Sequence, residues 1–327
     1  APHVPEQPQS RVAVGNSIDI SWIKGQEYAK RALEITAAGA HNLFFSGPPG
    51  GGKSLLAKAL PSLLPSLNFE ESLEVTKIYS VAGLLQENQM IMNARPFRSP
   101  HHIASEASLM GGGNPLRPGE ITLAHRGVLF LDEFPEFHRD VLEALRQPME
   151  EGKITISRAK NTLTFPSRFM LIGASNPCPC GFYGSPEKQC ICSSSQIAMY
   201  KRKLSGPLMD RLDIFIQVPA IKYDKLASEN PENQSHIVRA RIEVARNIQR
   251  ERFKHDTILV NSEMQLPQIK KYCQHDAKSQ ELLKKYVDSG KLSARGYHRI
   301  LKVARTIADL AGAENIHHDH IAEALMY

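Results

Sequence analysis

Apolar residues along this chain follow two different periods, and the change between them divides it. In the first two thirds, short apolar runs end in polar or acidic residues: Asn42-Leu-Phe-Phe45, Val128-Leu-Phe-Leu131 ahead of Asp132-Glu133, and Phe169-Met-Leu-Ile172 leading to Ser175-Asn176. Such runs predict strands of a parallel sheet buried on both faces. Helical spacing predicts helices over 27–38, 55–60 and 139–151, with Pro61 and Pro65 stopping the second and Gly152 ending the third. Residues 153–166 alternate apolar and polar on either side of Ala159-Lys160-Asn161, which predicts a hairpin with Lys160 at its tip. From Glu232 onward the spacing is helical, with helices predicted over 235–252, 277–288 and 293–310 and a last short one from Asp319. The expected organisation is a linker over 1–17, an α/β unit over 18–219 and an all-α unit over 220–327. A long excursion over 68–126, with the flexible stretch Gly111-Gly-Gly-Asn-Pro-Leu-Arg-Pro-Gly119, interrupts the α/β part.

Chemistry enters at the ends of the predicted strands. Gly47-Pro48-Pro49-Gly50-Gly51-Gly52-Lys53-Ser54 fits the pattern of a phosphate-binding loop and has the required strand before it and helix after it. Glycines let backbone N–H groups approach phosphates, and the helix N-terminus adds a favourable partial charge. Lys53 is expected to reach the β- and γ-phosphates of ATP, and the Ser54 hydroxyl to bind Mg²⁺. Asp132 is expected to hold the Mg²⁺ shell. Glu133 suits a base or water-orienting group for attack on the γ-phosphate. A solvated acidic pair is the bland reading of Asp132-Glu133, and the upstream loop outweighs it.

Composition narrows the class. With 327 residues, 42% hydrophobic and 23% charged, the chain has the make-up of a globular protein of about two domains. No apolar run approaches the ~18 residues of a membrane span and no signal peptide is visible, so a cytoplasmic location is expected. Residues 1–10 are rich in Pro and Gln and read as linker, which makes the chain a candidate fragment of something longer. The net charge of +6 is concentrated. Residues 152–205 carry eight basic side chains against one acidic, a local +7, so the remainder sums to −1. Positive charge gathered in one segment is the footprint of a phosphate backbone, against the alternative of a solvated basic face.

Several stretches together resemble the magnesium-chelatase-like AAA+ ATPases of the ComM/YifB type. They are the phosphate loop, Ser99-Pro-His-His102, 117–133 with its Asp132-Glu133 end, Ser175-Asn-Pro-Cys-Pro-Cys-Gly181, Ser205-Gly-Pro-Leu-Met-Asp-Arg-Leu-Asp213 and Ser293-Ala-Arg-Gly-Tyr-His-Arg299. The resemblance covers residues 18–327. It implies an AAA+ P-loop NTPase core, a ring-forming, hexameric assembly (a homo-oligomer), and a DNA branch-migration role in natural transformation and recombination. It also implies a Lon-like domain ahead of residue 1. Asn176 then corresponds to the first sensor, Arg211 to the arginine finger and Arg295 to the second sensor at the start of a lid helix. Ile23 and Gly25 join the nucleotide contacts. The excursion from Arg95 to Glu120 resembles an insert in the second helix, and the 153–166 hairpin resembles one that points into the ring channel, with Arg158 and Lys160 as its DNA contacts. Arg211 has an alternative as a surface ion pair with Asp210 or Asp213.

Cys178-x-Cys180 and Cys190-x-Cys192 frame a nine-residue loop. Clustered thiols in a reducing compartment point to metal. Four thiolates suit a structural Zn²⁺ site, whereas the C-x-C spacing is tighter than usual and leaves reduced spectator thiols as the other reading. The basic flanks at Lys188 and Lys201 to Lys203 are candidates to touch DNA. Cys273 reads as a small core residue. His317, His318 and His320 around Asp319 read as a helix cap rather than a metal site. Three functions remain in competition: a DNA motor, the motor subunit of a magnesium chelatase, and a protein-remodelling ATPase.

Overall fold

The computed structural model describes residues 18–85, 90–113, 116–158, 161–185, 188–204, 206, 208–221 and 234–327, without the side chains of 157, 158 and 161. The linker over 1–17, Lys160 at the hairpin tip and the Arg158 side chain lie outside the described residues.

Among the described residues nine strands occur in chain order: β1 (Leu43–Ser46), β2 (Phe97–Arg98), β3 (Gly111–Gly112), β4 (Arg117–Pro118), β5 (Val128–Leu131), β6 (Lys153–Arg158), β7 (Asn161–Pro166), β8 (Met170–Ser175) and β9 (Ile214–Gln217). Five of them form one sheet in the order β2-β5-β8-β1-β9, parallel throughout. The apolar runs are buried on both faces, as parallel strands require, with Phe45, Phe130, Ile172 and Leu43 fully enclosed. One hydrophobic cluster joins the sheet to the helices Glu27–Gly39 and Lys53–Leu63 and to the C-terminal helices. A second covers the opposite face through Phe44, Leu129, Phe134 and Leu171.

The 68–126 stretch departs from its reading as one excursion. Its first part is the helix Phe69–Ala82, capped by Asn68. Arg95-Pro-Phe-Arg98 then returns to the sheet, where β2 forms the edge beside β5 and Phe97 stacks on Phe130. The chain after β2 forms the helix Glu106–Met110, whose Leu109 is buried in the second cluster, and the antiparallel pair β3-β4. Two prolines also act differently from expectation. Pro61 lies inside the helix Lys53–Leu63 rather than ending it, because little more than half a turn follows and few ladder bonds are lost. Pro148 cannot donate to the carbonyl of Ala144, and the predicted 139–151 helix is split into Arg139–Ala144 and Arg146–Glu151.

The 153–166 hairpin forms as expected, with Arg158 opposite Asn161. The C-terminal helices are Gln234–Arg252, Leu266–Tyr272, Ala277–Asp288, Ala294–Leu310 and His318–Ala324. They dock under the N-terminal edge of the sheet through buried polar contacts. His41 Nε2 lies 2.8 Å from Thr306 Oγ1, Arg246 Nη2 donates to the Ala37 carbonyl at 2.7 Å, and Arg299 Nη1 donates to the Leu212 carbonyl at 2.9 Å. His320 Nδ1 accepts from the His317 N–H at 3.0 Å, so the histidine cluster does start a helix. No helix among the described residues is long and apolar enough to cross a membrane.

Candidate nucleotide site and cysteine cluster

β1 delivers the glycine-rich loop between its two sheet neighbours. Gly47 follows the strand so closely to β9 that an added Cβ would lie 2.1 Å from the Val218 carbonyl oxygen, so a side chain is excluded there. The loop ends at Gly52, the cap of the helix that begins with Lys53. Unpaired N–H groups at that helix start face the space where phosphates would sit.

Lys53 is buried at 8% exposure, with Nζ held by the Gly47 carbonyl at 2.7 Å, the Pro48 carbonyl at 2.8 Å and Asn176 Oδ1 at 3.0 Å. Burial pushes its ammonium below the usual lysine range, and Asp132 opposes that shift. Asp132 Oδ2 in turn accepts from Ser54 Oγ at 2.6 Å, and Asp132 Oδ1 accepts from the Glu133 N–H at 2.9 Å. Ser54 and Asp132 therefore offer two hard oxygen donors side by side, a set that suits Mg²⁺ and leaves its other positions to water and phosphate oxygens. Ser54 and Asp132, 78 positions apart, have converged on one point at the C-terminal ends of the strands β1, β5 and β8. That edge is where α/β sheets bind ligands.

Ile23 is 1% exposed and its side chain belongs to the core, and Gly25 adopts left-handed backbone at φ 62°. One residue that pattern reading missed is Gln26, in left-handed backbone, whose Nε2 donates to the Pro219 carbonyl at 2.7 Å and to the Gly51 carbonyl at 3.3 Å. It ties the loop to the end of β9.

Arg211 and Arg295 stand elsewhere. Arg211 lies in the turn Met209–Arg211 ahead of β9, where the Asn42 amide donates to its carbonyl at 3.1 Å and its guanidinium pairs with Glu150. Asp210 pairs instead with Arg295 at 3.7 Å, and Asp213 accepts from the Asn42 N–H at 2.9 Å. Both arginines line a cleft of about 540 Å³ on the N-terminal edge of the sheet. From Asp213 to Val218 the strand spans roughly 16 Å, so neither guanidinium reaches the phosphate loop of its own chain.

Four cysteines meet beside the phosphate loop. The sulfur atoms of Cys178, Cys180, Cys190 and Cys192 all lie within 4.8 Å of one another. Cys178 is 3.4 Å from Cys180 and 3.7 Å from Cys190, and Cys180 is 3.6 Å from Cys190. A tetrahedron of Zn–S bonds near 2.3 Å needs sulfurs about 3.8 Å apart, so the arrangement fits Zn²⁺. Backbone N–H groups already point at sulfur, from Cys180 to Cys192 at 3.4 Å and from Tyr183 to Cys178 at 3.3 Å. The Cys180 thiol is drawn down to about 6, first by the Phe182 N–H and then by that of Ile191. The module touches the nucleotide loop directly. Gly181 has φ +85°, and an added Cβ would lie 2.5 Å from Pro49 Cδ. Lys188 lies 4.6 Å over the Phe182 ring and Lys201 5.0 Å over Tyr183. Cys273 is buried apart from the cluster, and burial pushes its thiol up to about 12.

Comparison with known proteins now decides the family. The family model "Magnesium chelatase, subunit ChlI" matches residues 19–226, and "Magnesium chelatase, subunit ChlI C-terminal" matches residues 232–327. The chain belongs to the magnesium chelatase family. Within that family it is 46% identical to the Competence protein ComM of Haemophilus influenzae over 315 residues, 95% of this chain and 60% of that protein. It is 42% identical to the uncharacterized protein YifB of Escherichia coli over 328 residues, 99% of this chain and 63% of that protein. The magnesium-chelatase 38 kDa subunit of Rhodobacter capsulatus shares 26% identity over 175 residues, 48% of this chain and 49% of that protein. The chain thus spans less than two thirds of the length of the ComM and YifB relatives.

Proposed function

We propose that this chain is the motor part of an ATP-driven DNA machine of the ComM type, assembled as a cytoplasmic ring, a hexamer on the family's pattern. The observation that carries the reading is the split of the site. Lys53, Ser54, Asp132, Glu133 and Asn176 converge on one edge of the sheet, and Arg211 and Arg295 stand on the other. A neighbour packed edge to edge brings the two halves together.

In that arrangement Lys53 leaves the loop carbonyls for the β- and γ-phosphates. Ser54 and Asp132 would hold Mg²⁺, which would supply charge neutralisation on the phosphate oxygens. Glu133 accepts a proton from the attacking water, which Asn176 helps to orient. Arg211 and Arg295 of the adjoining subunit meet the charge that spreads over the transferring phosphoryl group, worth roughly 10³–10⁵ in rate for such a finger. The four cysteines would hold Zn²⁺, which would supply a rigid cross-link to the loop that abuts Pro49. The basic 152–205 segment and the name of the H. influenzae relative, a competence protein, support DNA as the polymer moved, with Arg158 and Lys160 on the hairpin and Lys188 and Lys201 to Lys203 on the cysteine module as phosphate contacts.

The test is ATP hydrolysis with and without forked or single-stranded DNA. DNA is expected to raise turnover and to bind with steep salt dependence. Glu133→Gln is expected to bind ATP normally and to lose at least about 10² in turnover. Absence of both stimulation and a gel shift at low salt contradicts the DNA reading and promotes a chelatase or protein-remodelling motor.

A further inference from the structure

Arg211 is not posed to leave its own chain. In the proposed ring it meets a neighbour's nucleotide, yet its side chain is 14% exposed and its guanidinium pairs with the Glu150 carboxylate, which is itself 56% exposed. The backbone around it is fixed from two other directions. The Asn42 amide donates to the Arg211 carbonyl at 3.1 Å, and Arg299 Nη1 donates to the carbonyl of Leu212 at 2.9 Å. The side chain is the part that can swing, and Glu150 is a carboxylate that retains it.

Glu150 sits at the foot of the hairpin. It lies on the helix Arg146–Glu151, three positions before β6 begins at Lys153. Gly152 turns the chain between them at φ +65°, and its carbonyl accepts from the Ser167 N–H at 2.8 Å, which closes the hairpin's base. Among the described residues β6 and β7 pair only with each other, and Ile154 is their one buried side chain. The hairpin is therefore a two-stranded arm rooted beside Glu150, and a load on the arm is felt at its foot. A carboxylate on the finger also opposes catalysis: it competes with phosphoryl oxygens for the guanidinium and adds negative charge where negative charge develops.

We propose that Glu150 is a positioning residue that holds the Arg211 finger on its own subunit and ties its delivery to the hairpin. While the arm is unloaded, Arg211 is shared between Glu150 and the neighbour's nucleotide, and turnover stays low. A strand that draws on the arm shifts the helix Arg146–Glu151, parts the ion pair and leaves the guanidinium to the phosphoryl group. The inference deepens the proposed motor function and rests on that reading.

Steady-state ATP hydrolysis of the full chain, with and without single-stranded oligo(dT), tests it. A half-exposed ion pair shifts a two-state balance only a few-fold, so Glu150→Gln is expected to raise the DNA-free kcat about two- to fivefold, to leave the KM for ATP within about twofold and to shrink the stimulation ratio by the same factor. The gain has to run through the finger. In an Arg211→Ala background Glu150→Gln is expected to change nothing, whereas a general loosening of the fold moves both backgrounds alike. A fall of kcat by the same factor with and without DNA, an unchanged stimulation ratio, or an equal gain in the Arg211→Ala background overturns the proposal. Should Glu150→Gln fail to fold, Glu150→Asp decides: its arm is one carbon shorter, a smaller gain in the same direction is expected, and an unaltered DNA-free rate counts against the restraint. A parent protein that hydrolyses no ATP, or whose turnover oligo(dT) does not alter, contradicts the motor reading instead, so the two failures are distinguishable.

Discussion

Glu74 lies on the helix Phe69–Ala82, where His125 Nε2 approaches its carboxylate at 3.1 Å and Arg126 Nε donates to it at 2.9 Å. The His125 contact, with Arg126 behind it, holds the Glu74 carboxyl down to about 2 from its ordinary 4.5. Because the folded value is the depressed one, the stabilisation is complete above pH 4.5 and is lost as pH falls toward 2. Its side chain is 43% exposed, so solvent screening limits the effect to about 1 kcal/mol. Glu74→Gln is expected to lower the urea midpoint at pH 7, and the gap from the parent is expected to narrow between pH 4.5 and 3. A constant gap contradicts the assignment. Residues of this kind show what a sequence can reveal of a site. Lys53, Ser54, Asp132 and Glu133 were legible because each lies in a contiguous motif whose spacing follows from phosphate and metal geometry. Gln26 and His102 were not, since their partners are Pro219 and Glu133, brought close only by the fold.

At the scale of elements, the cysteine module and the phosphate loop are in direct contact. Gly181 meets Pro49, and Tyr200, buried on the basic helix Ser194–Lys203, takes a hydrogen bond from the Asn176 backbone. A change in the module therefore reaches two parts of the nucleotide site. Gly181→Ala places a methyl group against Pro49 and forces a left-handed alanine, at a cost of roughly 1–2 kcal/mol. The variant is expected to match the parent in zinc content by elemental analysis and to bind a fluorescent ATP analogue about tenfold more weakly. Unchanged affinity means that the contact is incidental. Long, strongly patterned elements were legible here: the hairpin register and the buried strands follow from period-two and continuous apolar runs. The two-residue edge strand β2 was not, because Phe97–Arg98 is too short to carry a period and is fixed by its neighbour β5.

At the scale of the whole molecule, the proposed ring requires the two edges of the sheet to give each subunit half of a catalytic centre facing one way and half facing the other. Asn42 stands at the hinge of that division, bonded to the Arg211 carbonyl and to the Leu171 N–H at 2.8 Å at the base of the strand that carries the phosphate loop. The all-α unit was legible as a helical tract, but its docking beneath the N-terminal edge depends on His41, Thr306, Arg246 and Arg299, which no local pattern connects. The most direct measurement is ATP hydrolysis by a mixture of Lys53→Ala subunits, which cannot use their own loop, and Arg211→Ala subunits, which have no finger to give. Each variant alone is expected to be nearly inactive. Mixed in equal amounts, roughly a quarter of the interfaces pair an intact loop with an intact finger, and activity is expected to return to a comparable fraction of the parent rate. A mixture no more active than the sum of its parts contradicts catalysis across the subunit boundary.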